Sequence, residues 1–140
     1  MLDKLKKTLQ DASDMLREQA GALGEGAREK GYQVIEEWLT VFPKLELAGL
    51  EVTSFALSVA LSPGLEVDLR GSHNDFSPER LQRLLEEHRH STMMVSVLNT
   101  IKTTYAFHRR IHAPLHEPLI VKIRIRLSPE IRVVIGRPLI

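Results

Sequence analysis

Three histidines spaced by four, His108, His112 and His116, are the first residues here whose type and spacing suggest chemistry. On a helix His108 and His112 share a face, and paired imidazoles so placed can ligate zinc. No Glu, Asp or Cys accompanies them at a metalloprotease spacing. Pro114 breaks the helix before His116, and Arg109 and Arg110 repel a cation. Solvated imidazoles near a helix C-terminus, where positive charge complements the dipole, account for the same residues. His88 and His90 read alike. We therefore expect no metal and no cofactor.

Nucleophilic and phosphate chemistry lack their local signatures. Ser, His and Asp all occur, but no Gly-x-Ser-x-Gly elbow does. Gly21, Gly24 and Gly26 do not follow a strand, so they do not make a phosphate-cradling loop. Glu36-Glu37 and Glu86-Glu87 are adjacent pairs on helical segments; neighbours in sequence do not share a helix face, and these read as solvated charge. The chain has no cysteine, which removes thiolate catalysis, thiolate zinc sites and disulfides. With no nucleophile–base arrangement to point at, the expectation is a protein that is not an enzyme.

Basic residues give the next pattern. Lys122, Arg124 and Arg126 alternate along one strand-like run, and Arg132 follows on the next. Such a ladder has teeth about 7 Å apart, suited to the phosphates of anionic lipid or nucleic acid. Nucleic acid is the less favoured partner, because single-strand platforms add exposed aromatics and the one strand aromatic, Phe55, falls on the core phase. The same side chains can make cross-strand ion pairs with Glu66 and Asp68. Residues 1–50 carry 7 basic and 9 acidic groups, residues 51–100 carry 4 and 7, and residues 101–140 carry 8 and 2. A basic C-terminal third either seeks an anionic partner or neutralises the acidic remainder. Opposite in kind is the strip Ala56, Ser58 and Ala60, small side chains that let another element approach closely.

The N-terminal segment offers an association surface. Leu2, Leu5, Leu9 and Leu16, with Ala12 and Leu23, repeat every 3.5 residues on average, the period of a two-helix seam. Self-association as a homo-oligomer, or a protein partner, suits that stripe. Lys4, Lys6 and Lys7 beside it suit a membrane surface, while Asp3, Asp11 and Asp14 dilute that charge. Packing on its own domain is the third possibility. A further candidate is an apolar pocket between helices and sheet, lined by Trp38, Phe55, Met94 and Tyr105, residues that serve equally as plain core.

The elements that position these groups follow from pattern. Leu-Ser-Pro occurs at Leu61–Pro63 and again at Leu127–Pro129, each time between strand-like runs that match at an offset of 66. Alternation places strands at about 53–61 and 65–70, then 119–127 and 131–135. An odd loop keeps apolar residues opposite each other. Three residues would set Leu61 against Leu65, Val59 against Val67 and Leu57 against Leu69; five keep the phase. The turn type and the proline isomer at Pro63 and Pro129 stay open. Helices are expected over Met1 to about Ala20, about Ala27–Phe42, from Ser77-Pro78-Glu79 onward, and from Met93 to about Ile111. Pro43 either ends the second or opens a further turn closed by Gly49. Ser91 either caps a fresh helix or lies within a continuous one.

These elements predict a two-layer α+β fold in the order α-α-β-β-α-(α)-β-β. Its hairpins form a four-stranded antiparallel sheet with helices on one face. The division is a helical extension over 1–26 and one α+β domain over 27–140, with a possible α-β-β duplication. At 140 residues such a domain needs no metal or disulfide to fold. Met1 to Gln10 lacks signal-peptide character, and no run nears the ~20 apolar residues of a membrane span. A cytoplasmic location, at most peripheral to a membrane, is expected. The functional expectation is a small non-catalytic binding or assembly module using the N-terminal helix. The alternatives are a peripheral binder of anionic lipid or nucleic acid and a carrier of an apolar ligand.

Overall fold

A computed structural model of the chain describes residues 25–59, 63–126 and 128–138. The expected helix over Met1 to about Ala20 lies outside them. The described elements are α1 (Glu25–Leu39), α2 (Phe42–Ala48), β1 (Glu51–Ser58), β2 (Gly64–Gly71), a 3-10 turn (His73–Phe76), α3 (Pro78–Glu87), α4 (Thr92–Arg110), β3 (Leu119–Ile125) and β4 (Glu130–Ile135). The strands form one antiparallel sheet in the order β1-β2-β3-β4. The fold is α+β.

Helix boundaries follow local chemistry. Pro43 has no amide to offer the Leu39 carbonyl, so α1 stops there rather than running to Phe42. The same proline suits the start of α2. Gly49 closes α2 at φ 119°, a left-handed conformation that glycine adopts without penalty, and its N–H reaches the Glu46 carbonyl. Ser77 accepts a hydrogen bond from the Arg80 amide and caps α3; Ser91 does the same for Met94 and opens α4 as a separate helix. Arg80 Nη2 donates to the Ala48 carbonyl at 3.3 Å, tying α3 to the end of α2.

The core lies between the helices and one sheet face. Leu65, Val67 and Leu69 from β2 and Val121, Ile123 and Ile125 from β3 are fully buried there. Tyr32, Ile35, Trp38 and Leu39 of α1 and Met94, Val97, Leu98, Ile101 and Tyr105 of α4 cover them. These helix positions recur at three and four residues, as a single buried helix face requires.

The hairpin register corrects the three-residue loop. Leu57 lies opposite Leu65 and Phe55 opposite Val67, so residues 59–63 make the connection. The second hairpin repeats this at the offset of 66, with Ile123 opposite Ile131 and Val121 opposite Val133. A slip of four positions preserves the face of every side chain, so alternation alone does not distinguish the two registers. A packing contact bears on the choice. Pro63 is buried on α1, where a Cβ added to Gly31 would lie 2.8 Å from Pro63 Cγ. In β1 the register also shifts between Val52 and Ser54, leaving Thr53 as an extra residue whose Oγ1 donates to the Asp68 carbonyl. This bulge keeps Val52 in phase with Leu69. Among the described residues the cis peptide is Glu117–Pro118.

Gly31→Val tests the Pro63 contact. A branched side chain has no room against the proline ring, and urea unfolding should show a loss of about 1–3 kcal/mol, the usual cost of overpacking. A variant as stable as the parent contradicts it.

Candidate functional site

The basic ladder lies on the outward sheet face beside acidic partners. Arg124 Nε is 3.3 Å from Glu66 Oε1, and Lys122 Nζ is 4.0 Å from Asp68 Oδ2. Both pairs are half-exposed and contribute at most about 1 kcal/mol each. Their effect on binding is larger: each carboxylate occupies a cation that a phosphate would need. Arg132 stands opposite Lys122 on β4, and the exposed Arg126 lies over Gly64. Glu130, opposite Arg124, adds a further negative charge. Ala56 and Ser58 are exposed on β1, opposite Glu66 and Gly64.

The proposed apolar quartet is not gathered around one cavity. Trp38, Met94 and Tyr105 belong to the continuous core, and Phe55 is partly buried against it. Of the four, Tyr105 alone lines the cleft at the end of α4. Leu2, Leu5, Leu9 and Leu16 lie outside the described residues.

That cleft, about 470 Å³, opens between α3, the second half of α4 and the chain that follows it. Its floor is buried and made by His73, Phe76, Leu81 and Tyr105. Pro78, Ala113 and Leu115 add apolar walls. Lys102, His108, Arg109 and His112 stand along α4 and its end, since these positions fall on one helix face. No carboxylate lines it. Among the described residues no group of three or more His, Asp or Glu is placed to hold a metal ion.

His73 holds this corner together. Its Nε2 lies 2.6 Å from the His116 carbonyl oxygen, and its Nδ1 lies 2.7 Å from the Tyr105 hydroxyl. A carbonyl only accepts, so Nε2 of the neutral ring carries the proton and Nδ1 accepts from Tyr105. The His73 backbone N–H and the Ser72 hydroxyl both donate to the Glu117 carboxylate. The 3-10 turn, α4 and the chain at 116–117 are thereby joined. His112, in the left-handed region at φ 55°, turns the chain away from the end of α4. Burial, and then the nearby Glu117 charge, push the Tyr105 phenol pKa well above its ordinary value, so the hydroxyl stays a donor.

His73 belongs to no sequence motif. Its side-chain partners lie 32 and 43 residues away in sequence, so no local spacing announces it. His108 and His112, read as solvated imidazoles, line the cleft, and His116 contributes its carbonyl rather than its ring.

Two substitutions test this corner. His73→Ala leaves the buried Tyr105 hydroxyl and the His116 carbonyl without their imidazole partner and should lower stability by about 1–3 kcal/mol in urea unfolding. Tyr105 titrates near 10.0 when unfolded and higher when folded, so its contribution is complete below that pH and is lost as pH rises above it. Tyr105→Phe should therefore flatten the alkaline decline of stability, measured by urea unfolding between neutral pH and pH values above 10.0. An unchanged slope contradicts the assignment.

No family model matches the chain, and neither a curated protein nor a solved structure matches it.

Proposed function

We propose that the chain is a small non-catalytic binding module whose ligand is an anionic amphiphile seated in the cleft between α3 and α4. The observation that carries this reading is the asymmetry of the lining. Apolar and aromatic groups make the floor and walls, Lys102 and Arg109 supply positive charge, and no carboxylate is among the lining residues, Glu117 being held behind the floor by Ser72 and the His73 amide. An apolar chain gains from leaving water against Phe76, Leu81 and Leu115, while a carboxylate or phosphate head meets the two cations. The volume lies within the range of small-molecule sites, roughly 300–1,000 Å³. This relocates the expected carrier of an apolar ligand from the helix–sheet core to the end of α4, and adds charge to the ligand.

The non-catalytic part rests on the state of the one buried histidine. Both ring nitrogens of His73 are engaged with protein groups, so neither is free to take a substrate proton. The Tyr105 hydroxyl is held protonated and already donates to that ring, so neither of these two floor residues serves as a base.

Calorimetric titration with dodecanoate and with 1-dodecanol tests the reading. Dodecanoate should bind and the alcohol about tenfold or more weakly, since a charge-assisted hydrogen bond is worth about 1.5–3 kcal/mol. Lys102→Glu with Arg109→Glu should abolish the preference. Absence of binding, or equal binding of acid and alcohol, removes the reading.

A further inference from the structure

The end of α4 carries a second feature, of which the cleft uses only Leu115. Among the described residues five large apolar side chains are exposed, and Phe107, Ile111 and Leu115 are three of them, at 61%, 68% and 49%. Nine consecutive residues thus hold most of the exposed apolar bulk. Phe107 and Ile111 are one helical turn apart, and Phe107 points away from the cleft-lining positions Tyr105, His108 and Arg109. Arg110 lies over the Phe107 ring, 5.7 Å from its centroid, which brings positive charge to the edge of the apolar surface. From Ser91 to His116 the chain contains no Asp or Glu, while Lys102, Arg109 and Arg110 are all exposed. Complementing the helix dipole accounts for basic residues in the last turn but not for bare Phe and Ile beside them.

The geometry points to this tip as a docking surface for an anionic lipid membrane: Phe107 and Ile111 enter the headgroup–acyl boundary while Arg110, packed on the Phe107 ring, meets lipid phosphates. Apolar insertion and cationic attraction at one place are the two terms that hold peripheral elements on anionic bilayers. A nucleic acid would be matched by the charge but not by the aliphatic Ile111 and Leu115. The surface stands whether or not the cleft holds a ligand, and it is distinct from the outward sheet face, where Lys122 and Arg124 already face carboxylates.

Co-sedimentation of the full chain with vesicles tests it. One set contains phosphatidylcholine alone, the other phosphatidylcholine and phosphatidylserine in equal parts. The parent should sediment with the anionic vesicles, less with the neutral ones, and less at high salt. The double variant Phe107→Ser with Ile111→Ser should bind about tenfold or more weakly, because it removes the apolar surface that leaves water on docking. Neither residue lies in the core, so thermal unfolding of this variant should match the parent. A variant that sediments like the parent overturns the proposal. So does equal binding to neutral vesicles. Loss of binding confined to a Leu5→Ser with Leu9→Ser variant overturns it too, by assigning the membrane contact to the N-terminal segment. Retention on heparin without vesicle binding overturns it in favour of a polyanion.

Discussion

The period-two phase of the central strands is the constraint from which the rest of the structure follows. Leu65 lies opposite Ile125, Val67 opposite Ile123 and Leu69 opposite Val121, and all six are buried on one face. A slip of one residue would turn this face to water and bring Glu66, Asp68, Lys122 and Arg124 inward, where unpaired charge is far costlier than lost packing. The same phase sets two outward acids against two outward bases, so the inner and outer faces agree on one register. Once that face exists, α1 and α4 have one surface to cover. The end of α4 then extends over the 3-10 turn, and the cleft forms where helix and turn part.

Much of this was legible in the chain because it depends on local periodicity and capping. Alternation at Val67, Leu69, Val121 and Ile123 marks the strands and their inward face. Ser77-Pro78-Glu79 marks the start of α3, and Ser91 and Gly49 act as the caps their residue types suit. Other features escaped because nothing local encodes them. Registers that differ by four positions present the same faces, and a distinguishing contact, Pro63 on Gly31, joins residues far apart in sequence. The site residues were less legible still. His73 becomes meaningful only when Tyr105 and His116 are brought to it. Trp38 and Met94, plausible as pocket lining by type, are consumed by core packing.

The divergence between the two hairpins has a physical consequence. Both keep the same inward phase and register, yet their outward residues are complementary: Glu66 and Asp68 on β2 face Arg124 and Lys122 on β3. The basic run is therefore in large part the counter-charge of its neighbouring strand. Along the second half of α4, by contrast, Lys102, Arg109 and Arg110 put positive charge beside apolar surface. This locates both the proposed ligand head and the proposed membrane contact at one end of one helix.

Amide chemical-shift mapping of the full chain with dodecanoate tests where the ligand sits, because it reports location rather than affinity. The largest changes should fall on His73, Leu81, Tyr105, Arg109 and Leu115, with little at the sheet's outward face. Changes concentrated at Lys122, Arg124, Arg126 and Arg132, or confined to residues 1–16, would contradict it.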